Sequence, residues 1–400
     1  MEAVFVDFLS LCLRWLHMIA GMAWIGSSFY FIHLDLTLKP DPHLPAEAQG
    51  AAWEVHGGGF YQMVKYLVAP QRMPDKLAWF KWEAYTTWLS GFSLLVVTFY
   101  LNAQLFLVDK TVLDIEPIYA IGLSIGFLIA GWLVYDATCK SSLGRNENVL
   151  AAFEFVFLVA VFYGFLHIFS DRGAFIEMGA LIGTMMVANV FLVIIPNQKK
   201  MVASLIAGET PDAELGLQGK QRSVHNNYLT LPVVFMMISN HYPLIFGTKY
   251  NWVIFALVLG IGFVIRYFYS FHHAGKPSPW WAWGAAAVMM GLIGWLSWIG
   301  SNSYQQDARA IRPHVPFSQV QEIVTARCSV CHAATPVWPG FAAAPKGLFL
   351  DTADNIRAHA DQIEIYAVRT KAMPPGNVTD ISDADRNLLG NGLAQLASIK

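Results

Sequence analysis

Charge is what this sequence has least of. Asp, Glu, Lys and Arg make up 14% of its 400 residues, against about 25% in an ordinary soluble domain. A chain of this length folded wholly in water would need more polar surface than that. The formal net charge of −2 offers neither a basic footprint for nucleic acid nor an acidic tail. Cysteine is also scarce: Cys12, Cys139, Cys328 and Cys331 are the full set, too few in so long a chain for a disulfide framework. Cys12 and Cys139 stand alone and read as structural. The N-terminus has Glu2 and Asp7 where a secretory signal would carry basic residues, and no small-residue cleavage site follows, so the first apolar segment is expected to stay in the mature protein. A GxGxxG after a strand, an iron–sulfur cysteine run and a P-loop are all missing.

What is abundant is apolar sequence, 55% of the chain. A spanning helix needs about 20 mostly apolar residues, and eight segments qualify as candidates: 4–32, 85–107, 117–135, 149–169, 174–195, 229–246, 252–270 and 280–300. Trp79, Trp82, Trp88, Trp252 and the Trp280, Trp281, Trp283 cluster sit at their ends, as an interfacial aromatic belt requires. With the N-terminus outside, the inner loops hold Lys39, Lys65, Arg72, Lys76, Lys81, Lys140, Arg145, Lys199, Lys200, Lys220, Arg222 and Lys276, and the outer loops only Lys110, Arg172 and Lys249. That asymmetry fixes the expected orientation. The first inner loop is long enough for an amphipathic helix. Eight spans return the chain to the outside.

After Gly300 the composition turns polar. Residues 301–316, with Pro313 and Pro316, read as a linker. Beyond it, amphipathic stretches at 317–327, 353–369 and 382–398 suggest three helices. Cys328-Ser-Val-Cys331-His332 is the c-type haem attachment pattern: two thiols one turn apart reach the two vinyl groups, and the adjacent histidine ligates the iron. A zinc site would need more ligands than His314 and His359 offer. Met373 is the only methionine after residue 290 and lies in Lys371-Ala-Met-Pro-Pro-Gly376, where two prolines present it from a stiff loop. It is the expected sixth ligand, with His359 as the fallback; His/Met ligation suits an electron acceptor. The expected fold is therefore all-α: a polytopic helical membrane bundle of about eight spans over residues 1–300, a linker at 301–316, and an all-α cytochrome c domain at 317–400.

Ionisable residues inside spans are costly and mark functional sites. Arg14 and His17 share one face of the first span. Glu154 and His167 fall in the fourth, Asn189 in the fifth, Arg266 in the seventh, and His225-Asn-Asn-Tyr-Leu-Thr-Leu-Pro232 continues to Asn240-His241-Tyr-Pro243. Asn, Thr and His also serve as interhelical hydrogen-bonding groups, His17 suits either a b-haem ligand or a general base, and His272-His273 reads as interfacial.

The stretches Arg14-Trp-Leu-His-Met-Ile-Ala-Gly-Met-Ala-Trp-Ile-Gly-Ser-Ser-Phe29, Val55-His-Gly-Gly-Gly-Phe-Tyr61, Trp79-Phe-Lys-Trp-Glu83, Ile195-Pro-Asn-Gln198 and His225 to Pro232 resemble the membrane-bound bacterial urate hydroxylases, over essentially the whole chain. The resemblance implies oxidation of urate to 5-hydroxyisourate in the inner membrane, with electrons leaving through haem c to a periplasmic cytochrome or terminal oxidase. The N-terminus and haem domain would then face the periplasm. A more distant similarity of the first span to protoporphyrinogen-oxidising membrane oxidases implies a haem b on His17. For a planar urate anion, Arg266 or Arg14 suits the charge and Asn226, Asn227 and Asn240 the edges. His225, His17 or His241 suits the base. Two other classes are a quinol-oxidising electron-transfer subunit and a purine carrier with a fused redox sensor.

Overall fold

The computed structural model describes residues 2–66, 74, 76–307, 314–339 and 341–397. Its helices in the first three quarters of the chain are α1 (Glu2–Thr37), α2 (Trp82–Leu95), α3 (Ala103–Phe106), α4 (Pro117–Lys140), α5 (Glu147–Phe165), α6 (Asp171–Ala188), α7 (Ile195–Ile206), α8 (Ala213–Ser239), α9 (Pro243–Phe246), α10 (Asn251–His273) and α11 (Trp281–Asp307). Local chemistry sets several of their starts. Pro117 opens α4, the Asn146 side chain accepts from the Asn148 and Val149 amides ahead of α5, and the Ser170 hydroxyl accepts from the Gly173 amide ahead of α6.

Six helical stretches among the described residues are long and apolar enough to cross a membrane: Phe5–Thr37, Pro117–Lys140, Glu147–Phe165, Asp171–Ile206, Asn251–His273 and Trp281–Gly300. The other two expected spans differ. The segment at 85–107 is α2, a wide helical turn at Val96–Tyr100, and the single turn α3. The segment at 229–246 belongs to α8, whose first half is polar and which ends at Ser239, before Pro243 starts α9. Outward faces are apolar: Phe8, Leu11, Trp15, Met18, Ile129, Val156, Val288 and Trp298 are all exposed. An apolar skin of that extent fits a bilayer, and the six helices are compatible with a multi-pass membrane protein.

The first inner loop holds no amphipathic helix among the described residues. It forms a hairpin of β1 (Ala48–His56) and β2 (Gly59–Tyr66), paired antiparallel from Ala48↔Tyr66 to His56↔Gly59. Gly57 and Gly58 take φ of +58° and +79°, the left-handed pair that a two-residue hairpin turn needs. The hairpin is tied to α1 by Lys65 with Asp35 at 2.6 Å and by Tyr30 donating to Glu54 at 3.0 Å. Arg72 lies outside the described residues.

The bundle core joins Leu95, Phe99, Leu128, Leu158, Phe162, Phe175, Met178, Leu181, Met236 and Phe255. Glycines allow close approaches. A Cβ at Gly262 of α10 would come 2.7 Å from the Pro232 ring, so α10 makes room for the proline inside α8. Between α6 and α7 the helix widens over Asn189–Ile194, just before Pro196, whose missing N–H cannot continue a regular ladder.

Helix α11 runs on to Asp307, so the first seven residues of the expected linker are helical; 308–313 lie outside the described residues. The C-terminal region is helical: α12 (Phe317–Arg327), α13 (Ala353–Ala358), α14 (Ala360–Ile363) with a wide turn at Glu364–Arg369, and α15 (Asp383–Ala397). It has its own core of Val315, Val320, Val324, Leu350, Ile356, Ile363, Leu389 and Leu393. Its 370–383 loop rests on the end of the bundle formed by 103–112, 170–172 and Phe246, around a cavity of about 390 Å³. Contact is close enough that a Cβ at Gly376 (φ +55°) would lie 2.5 Å from the Val108 carbonyl oxygen and 2.7 Å from that of Gln104. Gly376→Val should therefore loosen the docking, at about 1–3 kcal/mol for the forced left-handed backbone alone. Hydrogen exchange at 103–109 and 370–380 should quicken severalfold while the α12–α15 core stays protected.

Candidate functional site

In the C-terminal domain, α12 ends at Arg327 and the chain tightens into one turn: the Cys331 and His332 amides donate to the Cys328 carbonyl at 3.1 and 2.9 Å. The His332 Nδ1 lies 3.1 Å from the Leu348 carbonyl. A carbonyl only accepts, so Nδ1 carries the proton and Nε2 keeps its lone pair, the form a ligating imidazole takes. Burial lowers the His332 pKa, with the Leu348 bond opposing, and pushes the Cys328 thiol up to about 12. Neither cysteine is in a disulfide. Two free thiols beside a neutral, oriented imidazole are the donor set that a c-type haem requires.

Met373 is half-buried, and its backbone is pinned at both ends. Its amide donates to the Tyr366 carbonyl at 2.9 Å, and its carbonyl accepts from the Arg386 guanidinium at 2.8 Å. Arg386 is 5% exposed, also donates to the Ala367 carbonyl, and reaches Asn377 at 3.1 Å. In the sequence it was only one charge on an amphipathic helix. His359 pairs with Gln362 at 3.0 Å.

In the membrane domain the expected site residues do not form one cluster. His225 and Asn226 enter a buried network on α4, α5, α6 and α8. Arg222, counted from the sequence as an inner-loop charge, is inside α8, 2% exposed, and donates to Asp136 at 2.7 Å. It also lies over the Tyr135 ring at 4.8 Å and reaches the Asn189 Oδ1 at 3.4 Å. Asn189 then donates to the Tyr135 hydroxyl at 3.1 Å and to Asn226 Oδ1 at 3.0 Å, and Asn226 donates to the Met186 carbonyl at 2.9 Å. Tyr135 meets His225 Nδ1 at 2.8 Å, with Glu154 3.3 Å from the same nitrogen. A separate buried carboxylate, Glu177, accepts from Ser124 at 2.6 Å.

Asn227 and Arg266 belong to a second site, the seam between α1, α8, α10 and β1. Asn227 meets Ser28 at 3.5 Å. Arg266 is 5% exposed, stacks over Phe29 at 4.2 Å, and has Tyr228 and Tyr269 within electrostatic range. It has no carboxylate partner among the described residues, and its Nε is buried without a hydrogen bond. His273, two turns further along α10, has a buried Nδ1 in the same condition and stacks edge-on with His33 at 4.5 Å. His33 Nε2 stands 3.6 Å from Glu54 Oε1, again a buried atom with no hydrogen bond. Three orphaned polar atoms lining one aromatic-walled seam are what a polar ligand would satisfy. Sequence reasoning missed His33 and Glu54 because they join only through the hairpin.

The remaining expected residues lie apart. Arg14 is exposed and donates to Ser10 at 3.2 Å. Asn240 and the exposed His241 follow the end of α8; the Asn240 Oδ1 is buried without a partner. His17 holds Thr87 and Ser90 at 2.9 and 3.2 Å. Its ring edge is wedged against Gly91, where a Cβ would be 2.8 Å from Cε1 and 3.6 Å from Nε2. The Thr87 carbonyl only accepts, so Nδ1 carries the proton and Nε2 keeps its lone pair.

Removing one partner of a buried pair strands the other charge, at about 3–5 kcal/mol. Asp136→Asn should lower the thermal midpoint in detergent markedly, and adding Arg222→Met to it should restore most of the loss.

No curated protein and no solved structure matches the chain. A family model described as urate oxidase, N-terminal, matches residues 3–297. The match covers the network and the seam and stops before the Cys328 turn. The chain thus belongs to the urate oxidase N-terminal family, and its membrane domain is that of an oxidoreductase of urate-related chemistry.

Proposed function

We propose that the protein oxidises urate to 5-hydroxyisourate in its membrane domain and passes the electrons to a haem c held by Cys328, Cys331 and His332, with Met373 as sixth ligand. From there they go to a periplasmic cytochrome or terminal oxidase. The observation that carries this reading is the joining, in one chain, of a urate oxidase family domain with a c-haem donor set docked on its end. The overall reaction balances as urate plus water giving 5-hydroxyisourate, two electrons and two protons. Bound haem supplies a one-electron acceptor.

The seam supplies the substrate side. Arg266 pairs with the urate anion through its unpartnered guanidinium edge, and Phe29, Tyr228 and Tyr269 hold the flat ring. The Asn227 amide reads an edge. His33 or His273 takes the proton as the ring is oxidised, and the Glu54 carboxylate steadies the imidazolium. In the donor set, Arg386 fixes the backbone from which Met373 projects.

Eight spans, with the N-terminus and haem domain on the periplasmic side of a bacterial inner membrane, complete the proposal. The loop charge asymmetry supports it. So does the docking of the C-terminal domain on 103–112, 170–172 and Phe246, which lie in the three loops assigned outside or at the span ends beside them. The seam then opens near the cytoplasmic face, where the hairpin sits.

Anaerobic addition of urate to the purified holoprotein should reduce its haem c. Reduction by a quinol with no spectral response to urate would replace this reading with that of a respiratory electron-transfer subunit. Arg266→Gln should raise KM for urate roughly 10- to 150-fold, the worth of a charge-assisted hydrogen bond of about 1.5–3 kcal/mol, while haem content stays unchanged. Met373→Ala should leave haem attached and lower its midpoint potential in a redox titration; an unaltered potential would overturn the ligand assignment.

A further inference from the structure

One buried cluster takes no part in this chemistry. Cys139 of α4, Glu154 of α5 and His225 of α8 bring a sulfur, a carboxylate oxygen and an imidazole nitrogen within 4.8 Å of one another. Cys139 Sγ lies 3.9 Å from Glu154 Oε1, and His225 Nδ1 lies 3.3 Å from the same oxygen.

The surrounding hydrogen bonds fix the orientation of Asn189. Arg222 can only donate, so the Asn189 atom facing it is the carbonyl oxygen. The Asn189 amide nitrogen therefore donates to the Tyr135 hydroxyl oxygen. That hydroxyl lies 2.8 Å from His225 Nδ1, which also faces a Glu154 carboxylate oxygen at 3.3 Å. Sulfur, oxygen and nitrogen donors from three helices thus converge in a low-dielectric interior, where one cation can draw on all three.

We propose that Cys139, Glu154 and His225 bind a divalent transition metal of borderline softness, of the zinc class, which staples α4, α5 and α8. The donor set is mixed sulfur, nitrogen and oxygen, which suits such an ion. Charge closes as well. A thiolate and a carboxylate neutralise a dication, and the neighbouring Arg222 is already neutralised by Asp136. The buried site is therefore electroneutral with the metal in place. On metal binding the single lone pair of His225 Nδ1 goes to the metal, and the Tyr135 hydroxyl, held by Asn189, gives up its contact with that nitrogen. Binding expels the thiol proton, and no electron transfer is involved.

The test uses full-length holoprotein supplied with Zn2+, and it needs no urate, so its failure is separate from failure of the urate reading. Elemental analysis should find about one non-haem metal per haem iron, and X-ray absorption at the zinc edge should show one sulfur at about 2.3 Å. Cys139→Ala and Glu154→Gln should each cut the metal-to-haem ratio at least tenfold, with Cys12→Ala unchanged and haem content reporting that the variants fold. A wild-type ratio below one tenth, or a metal shell without sulfur, overturns the proposal whether or not any variant folds.

Discussion

The buried Arg222–Asp136 pair is the constraint around which the membrane domain is arranged. A guanidinium in a bundle this apolar is tolerated only if its charge is met and its donors are used. Asp136 meets the charge, and Asn189 takes a further donor. From that point the orientations of the Asn189 and Asn226 amides follow in turn, because each atom of those amides only donates or only accepts. The wide turn at Asn189–Ile194 belongs to the same arrangement, since Asn189 is its first residue. Helices α4, α6 and α8 are thereby held in one register by polar contacts as well as by apolar packing.

Against this saturated network the seam at Arg266 stands out by contrast. Both arginines are buried, and both stack on an aromatic ring. Among the described residues, only Arg222 of the two has a carboxylate partner. Arg266 Nε, His273 Nδ1 and Glu54 Oε1 are buried without a hydrogen bond. The saturated network holds the bundle together, and the unsaturated seam is the site proposed for a small anion. Arg14, the other candidate for the anion, lies on an exposed face and is occupied by Ser10.

The two domains meet at close backbone approaches. Gly376 approaches the carbonyls of Val108 and Gln104, and a side chain at Gly247 would collide with the Thr370 carbonyl. Such contacts leave little freedom to the loop that carries Met373. Arg386 secures that loop from within its own domain by donating to the Ala367 carbonyl before it and the Met373 carbonyl inside it. The docking contacts and this anchor act on the same dozen residues, so the position of Met373 is set from two sides.

Much of this protein was legible in its sequence because the relevant signals are local. The Cys328-Ser-Val-Cys331-His332 turn is contiguous, and helix contacts alone place its groups together. Long apolar runs announce spanning helices without reference to anything else in the chain, and the boundaries of α12 and α15 followed from amphipathic spacing. What the sequence did not reveal depends on partners far away in the chain. Arg222 looked like a loop charge until Asp136, 86 positions earlier, gave it a reason to be buried. The Gly57-Gly58 turn was in plain view, yet the hairpin brings Glu54 to His33 only because α1 lies beside it. Cys139, read alone as structural, became a candidate ligand once Glu154 and His225 arrived from two other helices. Composition and short-range spacing determined the class of protein and the turn from Cys328 to His332. Which buried polar groups are paired and which are left open was decided by tertiary structure alone, because a hydrogen bond has no sequence signature until the fold supplies its other half.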